Sequence, residues 1–247
     1  MPTIKINDIN MYYEIHGQGE PLLLVMGMGA DLTVWGDSIQ KFAEKYQVIA
    51  FDNRGAGRTD KPDIPYSIEM MADDTIGLMD KLDIKRVHIM GASMGSLIAQ
   101  MIAANHPERV QSLVLYVAFA RVSHGFLQNI FSMLWPVILK MPGVKQKMCL
   151  CKYLPTDRSL LRQTKAVSKF DSRGWLDKIR VPTLIVNCTK DFFAGPEGTR
   201  ELASGIAGSK LIIFKGGHLG AAENLDLLTN SALEFLSEVI VQPKKAG

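Results

Sequence analysis

The sequence has few cysteines and no long hydrophobic run. Three cysteines occur in 247 residues, an odd number that cannot form a complete disulfide framework. The sequence has no Cys-x-x-Cys and no matched pair of histidines, so it shows no pattern of a zinc site. No apolar run approaches the ~20 residues that span a bilayer, and no basic segment followed by an apolar one marks a signal peptide. From these absences we expect a cytoplasmic protein without a metal ion.

The charge of the chain is small in total but unevenly distributed. Hydrophobic residues make up 47% and charged residues 21%, as in an ordinary globular protein, and the net charge is +3. Residues 121–173 contain ten basic and two acidic side chains, a net charge of +8, so the rest of the chain carries −5. No recognised nucleic-acid-binding pattern accompanies this charge, and we expect no nucleic-acid partner.

One stretch, Val87 to Gln100, carries the strongest motif. An apolar run of strand type is followed by Gly91-Ala92-Ser93-Met94-Gly95 and then by apolar residues at helical spacing. A Gly-x-Ser-x-Gly between a strand and a helix is typical of a nucleophile elbow, in which a strained turn exposes the serine hydroxyl. An ordinary strand-to-helix turn can have the same five residues, so a base, an acid and oxyanion donors are needed elsewhere in the chain.

Strands and helices alternate from residue 21 onward, which predicts a mostly parallel, doubly wound α/β sheet. Residues 121–172 interrupt this alternation between two strands. Helical patterns there cover residues 126–139, 144–154 and 157–170, too much for one crossover helix. We therefore predict a core formed by residues 1–120 and 173–247, with residues 121–172 inserted as a helical cap. The predicted strands cover residues 3–6, 10–16, 21–25, 47–51, 87–90, 110–117, 182–187 and 211–214.

His218 is the predicted base for Ser93. It follows the last predicted strand, at the carboxyl end where open α/β sheets place their sites, and glycines flank it. Histidine has the basicity that serine activation needs near neutral pH. The alternatives are a loop histidine without a catalytic role, and His124 at the start of the cap.

Asp191 is the predicted acid, and two backbone N–H groups are the predicted oxyanion donors. Asp191 follows the strand before the last by a short turn, Thr189-Lys190, and the order Ser93, Asp191, His218 is the one expected for this architecture. A solvated turn aspartate is the alternative. The glycine-rich loop after the strand 21–25 predicts Met28 as one donor, and the start of the helix after the elbow predicts Met94 as the other.

These motifs together resemble those of the α/β-hydrolase superfamily, in the branch of small serine esterases and 3-oxoadipate enol-lactonases with a helical cap. They are Gly27-Met28-Gly29, Asp52-x-Arg54-Gly55-x-Gly57, Gly91-x-Ser93-x-Gly95, Asp191 followed by Pro196, and Gly217-His218. The resemblance implies an eight-stranded sheet and acyl transfer to water through an acyl-enzyme, without a cofactor. One departure is Met26, where many members carry histidine.

The substrate is predicted to be a carboxylic ester or lactone of small to medium size and largely apolar character. We expect Gly27 and Leu219 beside the serine, and Phe131 and Trp135 of the cap, to contact it. Enol-lactone or carbon–carbon bond hydrolysis on an anionic substrate is the alternative, since the basic cap can attract anions. The cap charge also suits a solvated face or weak contact with an anionic membrane surface.

A non-catalytic receptor with a hydrolase fold is the alternative outside enzymes, because a fold does not dictate an activity. The sequence leaves the oligomeric state open.

Overall fold

The computed structural model describes residues 3–122, 151–191, 193, 195–218 and 224–241. In these ranges one sheet has eight strands, which are β1 (Thr3–Ile6), β2 (Ile9–His16), β3 (Glu20–Val25), β4 (Tyr46–Phe51), β5 (Val87–Ala92), β6 (Val110–Tyr116), β7 (Thr183–Lys190) and β8 (Lys210–Gly217). Their order is β1-β2-β4-β3-β5-β6-β7-β8. The pairs β1–β2 and β2–β4 are antiparallel and the other five pairs are parallel, so the sheet is mostly parallel.

Six helices of the described residues cover the two faces of the sheet. They are α1 (Ser38–Ala43), α2 (Ile68–Lys81), α3 (Met94–Asn105), α4 (Asp157–Ser168), α5 (Gly195–Gly205) and α6 (Leu225–Val241). Side chains cap two of them at their N-termini. The Ser67 side chain precedes α2 and accepts from the Met70 N–H, and the Thr156 side chain precedes α4 and accepts from the Ser159 N–H. None of the helices in the described ranges is long and apolar enough to cross a membrane.

The hydrophobic core has one layer on each face of the sheet. Successive side chains of a strand point to opposite faces, so Leu23 and Val25 of β3 pack in one layer and Leu22 and Leu24 in the other. The first layer includes residues of α2 and α3, and the second includes residues of α1 and α6. Burial on both faces explains why β3 is a continuous apolar run from Pro21 to Val25.

The predicted fold class is confirmed, but one helix was missed and two local predictions are wrong. The missed helix is α5 at residues 195–205, where glycines and Pro196 hide the helical pattern. The helix predicted over 144–154 does not include residues 151–154, which are irregular. Asp191 does not follow a turn: β7 continues through Lys190 because it pairs with β8 as far as Gly217. The division into core and cap stays a prediction, since residues 123–150 lie outside the described ranges.

Two ends of the predicted cap lie side by side. Arg121 and Asp171 form an antiparallel bridge, and the Ser172 N–H donates to the Ala120 carbonyl at 2.9 Å. The Ser172 hydroxyl also donates to the buried Gln100 side chain at 2.8 Å. The chain thus leaves and rejoins the core at one place.

Candidate active site

Ser93 occupies the turn between β5 and α3 with a strained backbone. Its φ of 52° and ψ of −117° lie in a region that L-residues rarely adopt. The Ser93 N–H donates to the Tyr116 carbonyl at 2.9 Å, and the Ser96 N–H and hydroxyl donate to the Ser93 carbonyl. These bonds hold the turn, which leaves the hydroxyl at the carboxyl end of the central strand.

Glycines on both sides of Ser93 are required by close packing. A Cβ on Gly95 would lie 2.7 Å from the Val25 carbonyl carbon and 2.9 Å from the Met26 oxygen. A Cβ on Gly91 would lie 2.8 Å from the Ser96 Cα. Strand β3 and helix α3 could not approach the turn this closely with any other residue type.

Asp191, His218 and Ser93 form a continuous chain of hydrogen bonds. The Ser93 Oγ lies 2.9 Å from His218 Nε2, and His218 Nδ1 lies 2.9 Å from Asp191 Oδ2. An ionised carboxylate only accepts, so the proton of a neutral His218 is on Nδ1 and Nε2 is left to accept from the serine. The geometry is that of a nucleophile, a base and an orienting acid.

Strand register explains why the acid and the base meet. Lys190 of β7 pairs with Gly217 of β8, and Asp191 and His218 are the next residues of the two strands. Their side chains are only 1% and 7% exposed. The site therefore forms at the ends of adjacent strands, with little water around the acid.

Phe193 completes the surroundings of the acid and the base. Its N–H donates to Asp191 Oδ1 at 2.9 Å, so both carboxylate oxygens accept hydrogen bonds. Its ring packs edge-on to His218, with centroids 4.6 Å apart, and stacks on Phe119. The sequence analysis missed Phe193, although an aromatic residue two positions after the predicted acid was a usable signal.

A buried thiol near the site is a poor competing nucleophile. Burial raises the pKa of Cys188, and the Asp191 carboxylate acts in the same direction. A thiol with a raised pKa stays protonated near neutral pH, and the thiolate is the reactive form.

The predicted oxyanion donors belong to two segments that meet at the serine. Met94 is the first residue of α3, where backbone N–H groups have no partner within the helix. We call residues 26–31 the β3 loop. Its second residue, Gly27, lies close to the serine: a Cβ on Gly27 would lie 3.2 Å from Ser93 Cβ and 3.8 Å from Ser93 Oγ. Met28 follows Gly27 in this loop and Met94 follows Ser93 in the chain, so both candidate donors belong to segments that adjoin the serine.

Two side chains that the sequence analysis missed bind the β3 loop. The Asn53 amide donates to the Met26 carbonyl at 2.8 Å, and the Gln163 carbonyl oxygen accepts the Gly29 N–H at 2.8 Å. Gln163 lies on the buried face of α4 with Leu160 and Val167. A lone amide among apolar residues at helical spacing was the available signal.

Three predicted substrate contacts, Phe131, Trp135 and Leu219, lie outside the described residues. In the described ranges no group of three or more His, Cys, Asp or Glu side chains could hold a metal ion.

Comparison with known proteins gives hydrolases of this fold. A family profile described as alpha/beta hydrolase fold matches residues 20–135. A protein of Azorhizobium caulinodans named carbamate hydrolase RutD is 29% identical over 97% of this chain and 99% of its own. A protein of Acinetobacter baylyi named 3-oxoadipate enol-lactonase 2 is 24% identical over 90% of this chain and 91% of its own.

Solved structures similar to this chain also include hydrolases of this fold. The crystal structure of the enol-lactonase from Burkholderia xenovorans LB400 matches with a TM-score of 0.83 and 26% identity, covering 96% of this chain and 100% of that one. The matched profile and the named relatives support a hydrolytic activity of the chain at a general level.

Proposed function

We propose that this chain, an α/β hydrolase, is a serine hydrolase that cleaves a carboxylic ester or lactone of a small to medium, largely apolar molecule. The observation that carries the proposal is the unbroken chain of hydrogen bonds from Asp191 through His218 to Ser93. It ends on a serine in a strained turn beside two candidate oxyanion donors. No cofactor takes part in the proposed reaction.

Acylation begins when His218 Nε2 takes the hydroxyl proton and Ser93 Oγ bonds to the carbonyl carbon. The carbonyl oxygen becomes an oxyanion, which accepts from the N–H groups of Met28 and Met94. Asp191 stays ionised and stabilises the imidazolium through Nδ1–H. Collapse of the tetrahedral intermediate breaks the bond to the alkoxide, which takes the proton from His218 Nε2.

Deacylation repeats these steps with water. His218 Nε2 takes a proton from water as its oxygen bonds to the acyl carbon, and the second oxyanion uses the same donors. Collapse then breaks the bond to Ser93 Oγ, which recovers a proton from His218. The products are a carboxylic acid and an alcohol, or one hydroxy acid if the substrate is a lactone.

The acyl group is the open part of the proposal, and the relatives suggest which chemistries to compare. One relative is named a carbamate hydrolase and another an enol-lactonase. Carbamates and enol-lactones both present a carbonyl carbon that Ser93 can attack. Basic residues on α4 and just after it, among them Lys165 and Lys169, suit an anionic lactone.

A panel of substrates tests the proposal. Purified wild-type protein and Ser93→Ala are compared on p-nitrophenyl acetate, butyrate and octanoate, a neutral lactone, a lactone bearing a carboxylate, and an N-alkyl carbamate ester. We expect turnover of at least one ester or lactone by the wild type and none by Ser93→Ala. Equal rates for both proteins on every substrate would refute the enzyme proposal, and a biological effect that survives in Ser93→Ala would favour a receptor.

Salt separates two substrate classes. If the basic residues steer an anionic lactone, kcat/KM for that substrate falls as ionic strength rises, while kcat/KM for a neutral ester stays constant. Equal salt dependence for both substrates would exclude steering. Contact of residues 121–172 with an anionic membrane stays a prediction, which binding to vesicles containing phosphatidylserine would test.

A further inference from the structure

Gln163 is a fully buried polar side chain that joins α4 to two loops of the site. Its exposed fraction is 0%. Its Oε1 accepts the Gly29 N–H at 2.8 Å, and its Nε2 donates to the Arg54 carbonyl at 2.8 Å. One amide therefore binds both the loop that follows β3 and the loop that follows β4. Gln163 lies more than 100 residues after both loops in the sequence.

Other residues near Gln163 contact the same β3 loop. The Tyr153 N–H donates to Asp31 Oδ2 at 2.6 Å, and the Thr164 hydroxyl lies 3.2 Å from Met28 Sδ. The Cys151 thiol lies 3.6 Å from the Gly29 carbonyl. Residues 151–164 thus contact the β3 loop at Met28, Gly29 and Asp31, while Asn53 binds its first residue, Met26.

The bond to Gly29 fixes the peptide that follows the candidate donor. Gly29 has a φ of 73°, which favours glycine, and its N–H is committed to Gln163. The Met28 N–H belongs to the preceding peptide unit. Because Gln163 restrains the peptide between Met28 and Gly29, it restricts the ways in which the Met28 N–H can turn away from the serine.

We infer that Gln163 is a positioning residue, which holds the Met28 N–H toward the oxyanion and so links docking of α4 to catalysis. The inference rests on the proposed function. A donor that is already oriented stabilises the oxyanion without reorganisation during the reaction, and a donor that must reorient does not.

The test compares Gln163→Leu with Gln100→Leu. Leucine removes both hydrogen bonds of Gln163 at similar volume. Gln100 is the matched control, because it is also a fully buried glutamine, and its amide binds the Phe119 carbonyl and Ser172 instead of the β3 loop. Gln163→Glu is the conservative variant, because a protonated Glu can accept from Gly29 and donate to the Arg54 carbonyl.

Three measurements distinguish positioning from general stability. They are kcat and KM, the inhibition constant of a trifluoromethyl ketone that forms a tetrahedral adduct on Ser93, and hydrogen exchange of the peptide covering residues 26–31. For Gln163→Leu we expect kcat to fall by about 10- to 100-fold, less than the roughly 10²–10³-fold cost of losing a donor outright. The inhibition constant should rise in parallel with little change in KM, and the peptide should exchange faster.

Gln100→Leu should lower the melting temperature but leave the affinity for the ketone and exchange at residues 26–31 as in the wild type. Relative to the wild type at the same pH, Gln163→Glu should recover part of kcat toward low pH, where the new acid is protonated. If Gln163→Leu lowers the melting temperature without changing the affinity for the ketone, Gln163 is structural only and the inference is wrong.

Failure of the proposed function has a different signature, which is absence of Ser93-dependent turnover in the wild type. In that case hydrogen exchange still decides the inference: equal exchange at residues 26–31 in both leucine variants overturns it. If Gln163→Leu does not fold, the same measurements are made on Gln163→Met and Gln163→Glu and compared with those on Gln100→Leu and the wild type.

Discussion

Replacing Asp191 by Asn should nearly abolish activity while leaving the fold intact. Asp191 Oδ2 accepts from His218 Nδ1, and Oδ1 accepts from the Phe193 N–H. The side chain is 1% exposed, so water has little access to take the place of either partner. Asparagine has the same shape but replaces one of the two accepting oxygens with an NH₂ group that only donates.

The orientation of the new amide follows from its neighbours. If the NH₂ group faced the Phe193 N–H, two donors would meet in a buried place. The oxygen therefore stays toward Phe193 and the NH₂ group faces His218 Nδ1. Nδ1 must then accept, so the ring proton moves to Nε2, which can no longer take the proton of Ser93.

The expected loss is a factor of about 10⁴ in kcat, the size of effect that the same substitution has in serine proteases with the same three roles. This factor corresponds to about 5 kcal/mol of activation free energy. KM should change little, since the acid lies behind His218 and beneath Phe193.

The assay is hydrolysis of the best ester from the panel, with the concentration of active sites measured by titration. Asp171→Asn is the matched control, because this half-exposed carboxylate pairs with Arg173 at the edge of the cap, and it should keep wild-type kcat. A loss of less than tenfold for Asp191→Asn, or a nitrogen-15 spectrum with the His218 proton still on Nδ1, would refute the reasoning.

The other predictions concern stability. Gly95→Ala should prevent correct folding or strongly lower the melting temperature, because its Cβ would lie 2.7 Å from the Val25 carbonyl carbon. Arg54→Met should cost about 3–5 kcal/mol in urea unfolding, because it leaves the buried Asp74 carboxylate without its cation. Burial lowers the pKa of His88 below 6.5. As the pH falls, His88 of the unfolded chain is therefore protonated before His88 of the folded chain. The stabilising contribution of neutral His88 should be complete above about pH 6.5 and decrease below it. His88→Gln should lose less stability than the wild type when the pH is lowered from about 7.5 to about 5.5.

Matched variants serve as controls for these three. Gly198→Ala on α5 meets nothing within 4 Å and should stabilise the protein by about 0.5–1 kcal/mol. Arg173→Met breaks an exposed ion pair and should cost much less stability than Arg54→Met. The prediction for Gly95→Ala is contradicted if this variant has the wild-type melting temperature. The prediction for Arg54→Met is contradicted if it loses no more stability than Arg173→Met. The prediction for His88 is contradicted if His88→Gln and the wild type lose stability in parallel as the pH falls.

Local pattern was enough to predict the sheet and to select the three residues of the candidate triad. Continuous apolar runs identify parallel strands, and the carboxyl ends of parallel strands lie at one edge of the sheet. Ser93, Asp191 and His218 each follow such a strand, so their meeting could be expected from chain order. Their catalytic roles stay a proposal.

Features that depend on pairing over long distances could not be predicted in this way. Thr189-Lys190 and Gly216-Gly217 have the composition of loops, yet they extend β7 and β8 because cross-strand bonds form between them. Gln163 and Gly29 are 134 residues apart, and no local pattern relates them. Helix α5 was missed because its glycines and proline have poor helix propensity, which packing of Leu202 into the core overrides.

The central claim is that Ser93 is the nucleophile of an acyl-enzyme, and trapping this intermediate tests it most directly. Wild-type protein is mixed with a p-nitrophenyl ester or an aryl fluorophosphonate, quenched in acid, and examined by intact-mass and peptide mass spectrometry. We predict one adduct per chain, located on Ser93, which is absent from Ser93→Ala and strongly reduced in His218→Ala. An adduct on another residue, or an equal adduct in Ser93→Ala, would contradict the claim.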